Sequence, residues 1–309
     1  MIEVAIMIEG QDGLTWPRWK RIARAVEDLG FAGLYRSDHF TNANPPDKAS
    51  LELWVSLTWL ASHTDRIEFG PLVTPVSFRH PVWTARIGKD VDDLSGGRLI
   101  LGVGAGWQER EHEKFGFPLL EVSERLDRFE EGLEVIYRLL HSDDPVDFDG
   151  EYYELDEAIL LPRPQRPNGP PILVGGNGRN RTLPLAAHYA DEWNGVFLTA
   201  AAYKDLNKHL NRLLQAEGRD PNEVRRSLMT EVIFGRNDAE VRERLAQRTP
   251  NNTADDLRQQ GRLVGTPNEI VDQLGTLAEA GVQRIMLQWL ALDDLEGLES
   301  LATSVLPQV

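Results

Sequence analysis

Three consecutive polar residues, Ser37-Asp38-His39, follow the strand-like Gly33-Leu34-Tyr35, at the point where a buried strand should run out. A histidine at a strand end is the side chain best suited to carry a proton near neutral pH. Neighbouring residues of a strand point to opposite sides, so Asp38 and His39 are not expected to bond each other. One would face a mouth while the other holds a loop. Two glycine-rich stretches, Gly102-Val103-Gly104-Ala105-Gly106-Trp107 and Gly175-Gly176-Asn177-Gly178-Arg179, end further strand-like runs. Small residues passing into a helix start expose backbone N–H groups and the positive end of the helix, which suits a phosphate, and Arg179 and Arg181 would add charge. Glycine also lets a flat ligand lie close to the backbone. Tight packing of strand on helix is the competing explanation for each glycine. Trp107 is placed either to stack on a ligand or to cap the mouth.

Other chemistries are poorly provided for. With Cys at 0 there is no disulfide, thiolate metal site or cysteine nucleophile, which fits a reducing cytoplasm. The 7 histidines include no His-x-His on the first strand, so no metal site is expected. Lys20, Lys48, Lys89, Lys114, Lys204 and Lys208 fall in helices or loops, leaving no strand-end lysine for a Schiff base. Gly-x-Ser-x-Gly is absent. What remains is an apolar, glycine-walled pocket with one acid/base group and a phosphate cradle. That suits a bound cofactor carrying the difficult chemistry on a small-molecule substrate.

The net charge of −16 argues against nucleic acid and anionic membranes as partners. No apolar run is long enough to span a bilayer, and Met1-Ile2-Glu3-Val4 does not open a secretory signal, so the expected location is the cytoplasm.

The elements that must position these groups alternate along all 309 residues. Strands are expected at residues 2–8, 32–37, 67–74, 98–103, 171–174, 195–197, 228–234 and 284–289. Helices are expected at 15–29, 51–57, 80–94, 123–140, 181–189, 203–217, from Thr266, and at 295–306. Thr15 and Pro17 suit the start of the first helix, and Thr266-Pro267-Asn268-Glu269 reads as a capping box. Strands read as continuous apolar runs, as parallel strands buried on both faces must. The prediction is an α/β chain forming a single (β/α)8 TIM barrel, one domain over 1–309. Insertions after helix 4 and strand 7 occupy 141–170 and 238–262, with short strands near Tyr152-Tyr153-Glu154-Leu155 and a charged helical stretch at 238–260. An open doubly wound sheet is the alternative, but Glu9-Gly10-Gln11-Asp12-Gly13 lacks its glycine spacing. In a barrel the active site lies at the C-terminal strand ends, and strands two to five all turn anomalous there. Strand three does so through Gly70-Pro71-Leu72-Val73-Thr74-Pro75.

An ordered set of segments resembles the luciferase-like monooxygenase superfamily, in the branch that uses the deazaflavin coenzyme F420. It comprises Ser37-Asp38-His39-Phe40, Gly70 to Pro75, Phe78-Arg79-His80-Pro81, Leu94 to Leu99, Gly102 to Trp107, Glu124-Arg125, Leu161 to Pro164, Pro171 to Gly178 and Ala190 to Asn194. The resemblance implies His39 near the reactive face of the deazaflavin and Asp38 in contact with the cofactor. It implies a bulge at Leu72-Val73, with a non-prolyl cis peptide, supporting the tricyclic ring. Ala105, Gly106, Gly175, Gly176, Asn177 and Gly178 would hold the phosphate-bearing tail, and a homodimer is expected. Trp107 stands where sugar-phosphate-oxidising relatives carry a glutamate, so a different substrate is implied. Trp16, Trp107, Trp193 and Trp289 are the aromatic candidates for touching it, unless they serve as core or rim. The glycine pattern suits FMN equally well. The alternatives are therefore F420 hydride transfer, oxygen chemistry of an FMN-dependent monooxygenase, and a non-catalytic flavin carrier.

Overall fold

A computed structural model describes all residues 1–309. The chain alternates as expected. Strand β1 (Glu3–Ile8) is followed by α1 (Trp16–Asp28), β2 (Gly33–Arg36), α2 (Leu53–Ala61), β3 (Glu68–Pro71), β4 (Thr74–Pro75) and α3 (Pro81–Ser95). Then come β5 (Leu101–Gly104), α4 (Glu109–Phe115), α5 (Val122–His141), β6 (Val146–Asp149), β7 (Glu154–Ala158), β8 (Ile172–Gly175) and α6 (Thr182–Tyr189). The chain continues through β9 (Glu192–Val196), α7 (Ala200–Ala216), β10 (Arg225–Phe234), α8 (Asp238–Arg248) and α9 (Ala254–Gln259). It ends with β11 (Leu263–Gly265), α10 (Pro267–Glu279), β12 (Arg284–Gln288) and α11 (Leu295–Val305).

The main sheet runs β3-β2-β1-β12-β10-β9-β8-β5-β4, every pairing parallel. β3 and β4 are two pieces of one barrel position, and a bridge between Phe69 and Leu99 returns the sheet on itself. The result is a (β/α)8 barrel. Register places Ile6 opposite Leu34 and Met7 opposite both Tyr35 and Gln288, so the ends of β1, β2 and β12 meet at one rim.

Local sequence explains most elements. In α1, Trp19, Ile22, Ala23 and Val26 fall at helical spacing and are buried, while Pro17 occupies the first turn. Thr15 caps α1 through its backbone position alone, with no side-chain bond. α3 starts at Pro81 and stops at Gly96, which takes the left-handed conformation (φ 70°) that glycine tolerates. Glu269 closes the capping box on the Thr266 amide at 2.9 Å. Ala5, Met7, Tyr35, Ile100, Leu173, Met229 and Met286 fill the barrel interior, and a larger apolar layer lies between strands and helices.

Four expectations are corrected. The strands of the first insertion are β6 and β7, an antiparallel pair, and Tyr152-Tyr153 lie in the turn between them. The second is two helices rather than one, followed by β11, with its own small core of Ile233, Val241, Leu257 and Val264. Its break falls at Thr253, whose side chain caps α9. β9 starts at Glu192, because its polar Glu192 and Asn194 are buried by partners inside the fold. Helix α4 lies in a stretch with no apolar periodicity. No helix is long and apolar enough to cross a membrane.

Candidate active site

The strand ends surround a cavity of about 520 Å³, within the range of small-molecule sites. His39, Asp38, Leu72, Val73, Ala105, Gly106, Gly175 and Gly176 all line it. Asn177 and Gly178 do not; they are exposed on the rim. Ser37, Asp38 and His39 line the cavity together because β2 ends at Arg36 and the chain leaves strand geometry there. Side-chain alternation therefore stops one residue too early to separate them.

His39 Nδ1 lies 2.7 Å from Glu111 Oε1. A carboxylate only accepts, so Nδ1 carries the hydrogen and Nε2 is left without a protein partner. Glu111 Oε2 accepts the Phe40 amide at 2.9 Å, which fixes the carboxylate against the β2 loop. Burial works against a charged His39 ring, but the hydrogen bond and charge of Glu111 outweigh it, and the histidine pKa is raised. Burial likewise opposes ionisation of Glu111, and its bond to His39 overcomes this, so the carboxyl is lowered. The pair favours imidazolium and carboxylate.

Glu111 comes from α4, which is held down by more than this bond. His112, the next residue, places Nε2 2.8 Å from Ser77 Oγ and Nδ1 2.7 Å from the Gln108 carbonyl. Phe115 and Phe117 pack on Phe40 with ring centres 4.8 and 5.2 Å away, and Phe78 joins the same cluster. The Asp38 carboxylate is already engaged, accepting Thr74 Oγ1 at 2.7 Å and Arg79 Nη1 at 2.5 Å. At the neighbouring end of β1, Glu9 accepts Gln288 Nε2 at 2.5 Å and Gln11 Nε2 at 2.9 Å.

The β3 position breaks between Pro71 and Thr74, and the Leu72–Val73 peptide bond is cis, as the family resemblance implied. Val73 explains two of the glycines. A Cβ on Gly104 would sit 2.5 Å from Val73 Cγ2, and one on Gly175 would sit 3.1 Å from Cγ1. Packing, the competing explanation, holds there. Gly106 (φ 85°) and Gly176 (φ 130°) instead occupy conformations that other residues rarely adopt.

A phosphate-bearing cofactor fits this arrangement. The amides of Ala105, Gly106 and Trp107, and those of Asn177, Gly178 and Arg179, have no hydrogen-bond partner in the chain and flank the glycine wall. The Gly176 amide is not available, since it bonds the Asn194 carbonyl at 2.9 Å. Asn177 supports the loop: its side chain bonds both the amide and the carbonyl of Val196, at 2.9 and 2.8 Å. Arg179 and Arg181 are tied to Asp205 and Asp127. Of the four tryptophans, only Trp107 lines the cavity, its ring edge-on to His39 at 5.7 Å. Trp193 is buried on Tyr203, Trp289 is buried, and Trp16 packs against the core. Sequence reasoning missed Glu111, Glu9, Phe197 and Gln288. The acidic first turn of α4, Glu109 and Glu111, was the signal available for the first.

Comparison with known proteins matches residues 4–261 to a family described as luciferase-like monooxygenase. An F420-dependent hydroxymycolic acid dehydrogenase of Mycobacterium tuberculosis is 29% identical over 279 residues, covering 86% of this chain and 70% of that protein. An F420-dependent glucose-6-phosphate dehydrogenase of Amycolatopsis mediterranei is 27% identical over 320 residues, covering 92% of each. The solved structure of an F420-dependent secondary alcohol dehydrogenase in complex with an F420-acetone adduct aligns with a TM-score of 0.86 at 19% identity, over 98% of both chains. At that identity the likeness speaks for the fold.

Proposed function

The chain belongs to the luciferase-like monooxygenase family of oxidoreductases, and from its F420-dependent relatives we propose that it uses coenzyme F420 to exchange a hydride with an organic substrate at the barrel mouth. The observation that carries this reading is the His39–Glu111 pair, with a free Nε2 beside a glycine-walled, phosphate-competent cavity.

Leu72 and Val73 would form the shelf under the flat ring system, and the unpaired amides of 105–107 and 177–179 would receive the phosphate. The chemistry a deazaflavin would supply there, once bound, is donation or acceptance of the hydride. His39 moves the accompanying proton. As imidazolium it donates from Nε2–H to a substrate oxygen being reduced; as neutral imidazole it accepts the proton of an alcohol being oxidised. Glu111 keeps the ring oriented with Nδ1–H inward and stabilises the charged form. Asp38, fixed by Arg79 and Thr74, would present its remaining lone pairs to the cofactor.

Paired titrations of the purified protein with oxidised F420 and with FMN test this directly. Tight F420 binding with little for FMN is the expected result. The reverse preference would replace hydride transfer by reduced-flavin oxygen chemistry on the same barrel.

A further inference from the structure

Phe197 follows β9 on the cavity wall and has a φ of 49°. A bulky residue in the left-handed region is an outlier that persists only where the surroundings over-determine it, and such residues gather at functional sites. Two other non-glycine residues share the feature, Glu157 and Asn168, and both lie in the 141–170 excursion away from the cavity. At Phe197 the surroundings are identifiable. Its amide bonds the Met229 carbonyl at 3.0 Å, and its carbonyl passes so close to Gly261 that a Cβ there would come within 2.7 Å. The Arg262 guanidinium lies 5.2 Å from the ring centre. Arg262 is itself bound by Glu231 at 2.9 Å. The fold thus holds one aromatic ring against the cavity in a conformation that glycine would adopt more easily.

Carboxylates dominate the charged groups that line the cavity. No lysine or arginine lines the cavity, whereas Glu9, Asp38 and Glu111 do. Asp38 is neutralised by Arg79 and Glu111 by His39. Glu9 forms no ion pair and is held by the amides of Gln11 and Gln288 alone. An anionic group brought near His39 would meet the Glu9 carboxylate, which has no ion-pair partner, while the one cation on the lining, the His39 imidazolium, is already held by Glu111.

We infer that the cavity selects an uncharged organic substrate whose apolar flank lies against Phe197, and that Glu9 turns away substrates bearing a carboxylate or phosphate near the reacting carbon. This rests on the hydride-transfer reading and narrows its substrate class. It names Phe197 and Glu9 as specificity-determining residues.

The test uses F420-loaded protein and two probes of similar shape, neutral acetophenone and anionic benzoylformate, which carries a carboxylate on the reacting carbon in place of the methyl, followed through the fluorescence of bound F420. Acetophenone should bind about 10-fold or more tighter than the carboxylate, as an unrelieved like-charge contact requires. Phe197→Gly should weaken acetophenone by about 3- to 10-fold, the range of one aromatic contact. Glycine takes the positive φ freely, so this relief should offset part of the stability lost with the ring's contacts to Arg262 and the barrel interior. Glu9→Gln should narrow the gap between the probes. Equal affinity for both probes, no binding of acetophenone, or a Phe197→Gly protein with unchanged affinity would each overturn the inference. Failure of F420 itself to bind is seen before either probe is added, and overturns the cofactor reading instead.

Discussion

Glu111 Oε1 and His39 Nδ1 stand 2.7 Å apart although 72 residues separate them in the chain. The contact joins a helix of seven residues to the loop after β2, and it determines which histidine nitrogen faces the cavity. Without Glu111 the ring would lose the bond that fixes its tautomer and the strongest of the carboxylate interactions that raise its pKa.

His39→Ala should lower turnover by about 10²- to 10⁴-fold, the usual contribution of a positioned acid/base group. F420 affinity should change little, since the amides of the cradle are untouched. Steady-state kinetics beside a fluorescence titration separates the two, and a variant with full turnover would remove His39 from the chemistry.

Glu111→Gln should move the His39 titration downward and leave Asn- or Gln-type neutral bonding in place of the ion pair. His39 has a raised folded pKa, so its share of stability is complete below its ordinary value of 6.5 and fades as pH rises through the raised one. The stability gap between the native protein and Glu111→Gln should therefore be wider at about pH 6 than at about pH 9. Thermal midpoints across pH measure the gap, and imidazole NMR shifts report the titration itself.

Gly104→Ala should destabilise the protein by about 1–3 kcal/mol, because its new Cβ meets the stiff, branched Val73 side chain at 2.5 Å. Val73→Ala in the same chain should return part of the loss. Urea unfolding of the single and double variants would show the coupling, and simple additivity would mean that Val73 is not what Gly104 accommodates.

Arg79→Met should cost about 3–5 kcal/mol by leaving the buried Asp38 carboxylate without its cation. Arg179→Met, which breaks the exposed pair with Asp205, should change stability by no more than about 1 kcal/mol. Equal effects in denaturant unfolding would contradict the different burial of the two pairs.

The amino-acid sequence by itself determined the architecture. Parallel barrel strands bury both faces, so each writes a local apolar run, and the caps at Gly96 and at Thr266 with Glu269 are decided within one helical turn. It also marked the cavity wall, since His39, Leu72-Val73 and the glycines of β5 and β8 break strand patterning where it should continue. Tertiary structure alone decided what these residues do. The run Glu109 to Lys114 has no apolar period to announce a helix, and only ring closure brings Glu111 to His39. The same closure drives Val73 between Gly104 and Gly175 and turns Phe197 into the cavity. Those relationships depend on where strands distant in sequence end relative to one another, a quantity fixed by the shear and packing of the whole barrel and by no single segment.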